Sequence, residues 1–75
     1  MKRLSEFVKS KRKEVNLTQK EFADRTGVAL TVIRKIEQEK GNLNFEKVNQ
    51  VLRMFGHELA PVSSRELQGN KTSNE

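Results

Sequence analysis

Seventy-five residues make one small domain with a core near the lower limit for independent folding, so self-association is an expected source of stability. The absence of cysteine excludes disulfide staples and thiolate metal sites, and no apolar run approaches the ~18 residues of a membrane span. A net charge of +5, from 15 Lys and Arg against 10 Asp and Glu, favours polyanionic partners, nucleic acid before an anionic membrane.

In chain order, the first signal is basic and amphipathic. Residues 1–15 carry six bases (Lys2, Arg3, Lys9, Lys11, Arg12 and Lys13) against Glu6 and Glu14, and they lack the apolar core of a signal peptide. Leu4, Phe7, Val8, Lys11 and Val15 share one helical face, which predicts a helix from about Ser5, its cap, to Val15. Asn16, tolerant of the left-handed region, stops it. Leu17 then drops toward the core as a hydrophobic staple against Phe22.

The most specific stretch follows, TQKEFADRTGVALTVIRKIE over residues 18–37. Thr18 and Glu21 have capping-box spacing, so a second helix starts on Gln19, with Phe22 and Ala23 inward. Thr26 closes it and Gly27 takes the left-handed turn. Val28, Val32 or Ile33, and Ile36 recur at helical spacing, predicting a third helix from near Leu30 to near Gln38. Two short helices joined by a glycine turn cross steeply, as in a helix-turn-helix. Glu39-Lys40-Gly41-Asn42 is a polar break, after which Leu43 tucks onto the core. Asn44 caps a fourth helix whose stripe of Phe45, Val48, Val51, Leu52 and Phe55 is core, and Gly56 ends it.

Residues His57, Glu58, Leu59, Ala60, Pro61 and Val62 form a short extended segment, with Pro61 allowed only on an edge. No second strand exists to pair it, and a lone strand leaves its polar backbone groups unsatisfied. Pairing with the same segment of another copy across a two-fold axis resolves this. The division is thus a helix-turn-helix domain over 1–56, a dimerisation strand over 57–62 and a polar, disordered tail over 63–75.

Catalytic chemistry is not expected. With one histidine, no tyrosine, no phosphate loop and no acid pair beyond helix surfaces, neither an enzyme site nor a metal or cofactor site assembles. Double-stranded DNA is the expected partner. A recognition helix offers its first turn and outer face to the major groove, here Ala29, Leu30, Thr31, Arg34, Lys35 and Gln38. Thr31 suits a base edge, Ala29 or Leu30 a thymine methyl, and Arg34 and Lys35 guanine or phosphate. Gln19, with the free N–H groups of its helix start, suits a phosphate. Leu30, exposed at a helix start, calls for cover by DNA or a protein.

The run KSKRKEVNLTQKEFADRTGVALTVIRKIEQEKGN, with its L-T-Q…E…A…G-V…I…I-E spacing, resembles the DNA-binding domains of lambdoid phage repressors and the wider Xre family. The resemblance implies an all-α, lambda-repressor-like helix-turn-helix bundle of four to five helices that binds a palindromic operator as a homodimer. It also implies an ion pair between Arg12 and Glu37 that ties the first helix to the recognition helix. LSEFVKSKRKEVNLTQKEFA, KVNQVLRMFG and HELAPV are similar to HipB-like antitoxins. That likeness implies C-terminal strands pairing across the dimer, repression of its own operon and a HipA-type kinase toxin as partner. It places the protein in the bacterial cytoplasm, on nucleoid DNA. Two departures stand out: Ala29 replaces the usual Ser or Thr cap, and Asn16 replaces a common glycine. The alternatives are a stand-alone repressor of the same family with no toxin, and a protein-interaction module with a vestigial helix-turn-helix.

Overall fold

The structure, a computed structural model, describes residues 3–65. Lys2 and the tail from residue 66 onward lie outside the described residues. Among the described residues four helices run in order, α1 Leu4–Glu14, α2 Gln19–Thr26, α3 Leu30–Gln38 and α4 Phe45–Arg53, and Ser64 and Arg65, expected within a disordered tail over 63–75, are helical as well. Helix α3 packs against both α1 and α2. Beneath it lies a single cluster of Val8, Phe22, Ala23, Val28, Ile33, Ile36, Val48, Val51 and Leu52, all buried. Each helix contributes to it, so no helix is stable alone and all four depend on one core. Phe22 stacks on Phe55 at 5.8 Å between ring centroids, linking α2 to the end of α4.

Local chemistry sets the helix boundaries. The Thr18 hydroxyl accepts from the Glu21 N–H and the Glu21 carboxylate accepts from the Thr18 N–H, a complete capping box. Those two Thr18 groups also hold the Glu21 carboxyl below its ordinary range, the backbone N–H contributing most. Asn44 caps α4 by accepting from the Lys47 N–H. Past α1 the N–H of Leu17 reaches the Arg12 carbonyl and that of Asn16 the Lys13 carbonyl, a Schellman pair with Asn16 at φ 58°. The α4 end repeats it with His57 to Leu52 and Gly56 to Arg53. After α2, Gly27 at φ 78° donates to Ala23. Gln50 of α4 braces this turn by donating to the Thr26 carbonyl at 2.8 Å, and a Cβ at Gly27 would lie 3.1 Å from that same amide nitrogen.

Three expectations need correction. Ser5 does not cap α1: the helix begins one residue earlier, after Arg3, and Ser5 is buried within it with its hydroxyl donating to Glu39. Val15 lies past the last turn of α1 and is exposed, because the helix stops at Glu14. Phe45 is 63% exposed, so the α4 core stripe starts at Val48. As the first residue of its helix, Phe45 lies one turn short of the depth at which α4 meets the core. Leu17 and Leu43 are half-buried against the core, as expected.

One polar network crosses the bundle. Arg12 donates to Glu37 through Nε (2.8 Å) and Nη2 (2.9 Å), and through Nη1 to the Leu17 carbonyl (2.9 Å). Gln19 adds a bond from Nε2 to Glu37 at 3.1 Å. The side chains of Arg12 and Glu37 are only 12% and 1% exposed. A carboxylate that dry survives only when its oxygens are paired. Burial pushes the Glu37 carboxyl up, but the hydrogen bonds from Arg12 and Gln19, with the charges of Arg12 and Lys9, hold it below its ordinary range. The guanidinium, bonded to Glu37, is raised in turn. No buried side-chain nitrogen or oxygen among the described residues lacks a partner.

Gly27→Ala places a Cβ in the left-handed region and against Gln50, and should lower unfolding free energy by about 1–2 kcal/mol in urea titrations. Arg12→Ala strands the buried Glu37 carboxylate and should cost about 3–5 kcal/mol at pH 7. In the wild type, Glu37's contribution is present above its unfolded value of about 4.3 and is lost as the pH falls through its lower folded value. In Arg12→Ala burial prevails, the carboxyl moves up, and the charged form is the penalised one. The stability gap between the two proteins should therefore narrow from pH 7 to about pH 4. A gap that widens on acidification contradicts this account.

Candidate nucleic-acid interface

Helix α3 is two-sided. Ile33, Ile36 and Glu37 are buried, and Val32 is half-buried against the core. The opposite face is Thr31, Arg34, Lys35 and Gln38, all exposed, at spacing i, i+3, i+4 and i+7. Ala29, just before the helix, is exposed as well. Its methyl makes no cap bond, so the first-turn N–H groups of α3 lack a side-chain acceptor from that residue. The side chains of Thr31, Arg34, Lys35 and Gln38 make no hydrogen bond or ion pair within the described residues. A hydroxyl, two cations and an amide thus stand on one solvent-facing strip, with their hydrogen-bonding capacity unspent.

Two of the residues singled out from sequence sit differently. Leu30 is half-buried against the core and partly covered by the protein itself, so it does not require a partner to shield it. Gln19 is half-buried and its side-chain amide donates to Glu37, so part of its capacity is spent inside the fold. It lies at the first turn of α2, beside the network that holds α3. The N-terminal cations are also less available than their number suggests. Arg12 is paired with Glu37, Lys11 lies 3.5 Å from Glu14 and over the Phe7 ring, and Arg3 is paired with Glu39.

In the sequence, Glu39 is part of a polar break. It is the left-handed stop of α3, at φ 57°, with its N–H on the Ile36 carbonyl and the Lys40 N–H on the Lys35 carbonyl. Arg3 donates to its carboxylate from Nε at 2.9 Å and from Nη2 at 2.6 Å, and the Ser5 hydroxyl donates to the same group. The Ser5 hydroxyl, then Arg3, holds the Glu39 carboxyl below its ordinary range. A glutamate where glycine is usual, immediately after a periodic helix, was the available signal. Its partners, 34 and 36 residues away, were not readable.

Residues 57–62 leave α4 and pass close to α1. His57 lies against Phe7, with ring centroids 4.7 Å apart, and the Leu59 N–H donates to the Asn49 side chain at 2.6 Å. Leu4, Phe7, Leu52, Leu59 and Val62 help line an open apolar groove of about 390 Å³ here. The N–H groups of Glu58, Ala60 and Val62 make no backbone hydrogen bond among the described residues. The same residues hold no cluster of three or more potential metal ligands and no helix long and apolar enough to cross a membrane.

An exposed strip of donors and cations on the second helix of a glycine-linked pair matches the way such pairs meet DNA. The helix-turn-helix family model matches residues 8–60, well over half of the chain, spanning α2, the Gly27 turn, α3 and α4. Neither curated proteins nor solved structures gave a match. The chain belongs to the Xre-type helix-turn-helix family, and it is a DNA-binding transcription regulator.

Proposed function

We propose that the protein is a homodimeric, sequence-specific repressor in which α3 enters the major groove. The observation that carries this is the unspent strip of Thr31, Arg34, Lys35 and Gln38 opposite a fully buried face. Thr31, with Ala29 and the exposed part of Leu30, meets base edges near the helix start. Arg34 and Lys35 reach guanine or phosphate, and Gln38 lies furthest along the strip. Gln19 orients the network and presents the start of α2 to a phosphate. Two such helices about 34 Å apart read half-sites roughly 10 bp apart on a near-palindrome.

The dimer rests on the segment 57–62. The N–H groups of His57 and Leu59 are used, by Leu52 and Asn49, whereas those of alternate residues Glu58, Ala60 and Val62 make no hydrogen bond among the described residues. Pro61, which has no N–H, falls by alternation on the edge of His57 and Leu59, so it interrupts nothing on the other edge. One edge is therefore free for the same segment of a second copy. The partnership with a HipA-type kinase toxin, and with it the role of an operon-repressing antitoxin, is supported by the likeness of residues 4–23, 47–56 and 57–62 to HipB-like antitoxins. Co-expression with a HipA-type kinase encoded beside this gene tests it. A tagged kinase should retain this chain on affinity resin, and the absence of such a gene leaves the stand-alone repressor.

Two measurements address the DNA and dimer readings. In gel shifts with the upstream region of its own gene, the wild type should give a discrete complex that Thr31→Ala with Lys35→Ala abolishes. The log–log salt slope of that binding should lie at roughly −5 to −9, for about three to five phosphates per subunit. A salt-independent shift, or an unaffected double variant, contradicts the assigned face. Ala60→Pro removes an N–H that makes no hydrogen bond among the described residues. Light scattering should show it monomeric at concentrations where the wild type is dimeric, and an unchanged dimer sinks the strand pairing.

A further inference from the structure

Each of the four helices is followed by a residue in the left-handed region, and three of these are types that tolerate it: Asn16, Gly27 and Gly56. The fourth is Glu39, after α3. A glutamate gains nothing from that backbone conformation, which strains any residue with a Cβ and leaves glycine unstrained. What it has that glycine lacks is a carboxylate, and that carboxylate is occupied on both oxygens. Arg3 grips it with two nitrogens, at 2.9 and 2.6 Å, and the hydroxyl of the buried Ser5 donates to Oε2. Three side chains thus close a clamp between the start of α1 and the end of α3.

We infer that Arg3, Ser5 and Glu39 are positioning residues for DNA reading, which hold α3 at one tilt so that its exposed strip meets base edges in a single geometry. This rests on the proposal that α3 enters the major groove. Helix α3 has nine residues, too few to keep its shape or direction unaided. Ile33 and Ile36 seat it in the core, and Arg12 ties its inner side to α1 through Glu37. The clamp at Glu39 adds a second polar tie to the start of the same helix beyond the last turn of α3, and two ties on one partner helix resist a change of tilt. Glu39 is not placed to bind DNA itself. A carboxylate one residue past Gln38 repels phosphate, so its direct effect on affinity is unfavourable. Loss of the clamp and loss of the charge therefore act in opposite directions, and an experiment can separate them.

The test uses the full chain and two variants, Glu39→Gly and Arg3→Gln. Fluorescence anisotropy at one salt concentration compares the upstream duplex of the protein's own gene with a shuffled duplex of the same composition, and Tm is recorded for each protein. Glu39→Gly should melt at or above the wild-type temperature and bind the shuffled duplex at least as tightly. Its preference for the upstream duplex should nevertheless fall by about three- to tenfold, the worth of one exposed bidentate pair with its added hydroxyl bond. Arg3→Gln should bind both duplexes more weakly, and its preference should fall by a similar factor. A preference unchanged in either variant overturns the inference, since the clamp then serves stability alone or one residue acts without the other. Should Glu39→Gly melt lower than expected, Arg3→Gln decides, because it leaves the left-handed residue in place. A wild type with no preference overturns the DNA-reading proposal and this inference together, whereas a selective wild type with equally selective variants overturns this inference only.

Discussion

The buried carboxylate of Glu37 is the constraint on which the rest of the structure depends. It sits in the last turn of α3, where the partial negative charge of the helix end already disfavours an acid, and its side chain is 1% exposed. Such a group is tenable only with charge and hydrogen bonds brought from elsewhere. Arg12 brings both from α1, and its remaining nitrogen donates to the Leu17 carbonyl just past the end of that helix. Gln19 adds a bond from the first turn of α2. One residue therefore ties three helices together beside the apolar core to which all four contribute. Glu37 lies on the same side as the buried Ile33 and Ile36, and together they set which face of α3 turns outward.

That orientation explains where the useful charge lies. By count, the basic excess belongs to the first fifteen residues, and a reading from charge alone would locate the polyanion there. The structure spends much of it internally: Arg3 on Glu39, Lys11 beside Glu14, and Arg12 on Glu37. Arg34 and Lys35 have no acid within reach among the described residues and stand beside Thr31 and Gln38. Net charge thus indicated the class of partner. The distribution of acids over the fold determined which cations remain to meet it.

The C-terminal segment follows the same economy. After α4 the chain is anchored at alternate backbone groups, by Leu52 and by the Asn49 side chain, and His57 settles on Phe7. These contacts hold the segment along the start of α1 beside an apolar groove, and they leave the intervening N–H groups without backbone partners among the described residues.

Much of the architecture is decided by interactions spanning four or five residues, and these were legible in the amino-acid order. The Thr18–Glu21 box, the stops at Asn16, Gly27 and Gly56, the Asn44 cap and the bounds of α2 and α3 all belong to this class, as does the spacing of Thr31, Arg34, Lys35 and Gln38 on one side of a helix. Periodicity assigns a residue to a face but does not say what stands opposite, nor how deep each turn sits. For that reason Phe45 and Val15, apolar and in register, are exposed, and Ser5, a plausible cap, is buried. The same reason hid the bond from Gln50 to the Gly27 turn, that from Asn49 to Leu59, and the clamp of Arg3 and Ser5 on Glu39. Those bonds join groups 10 to 36 residues apart, and only the packing of the four helices brings them within reach.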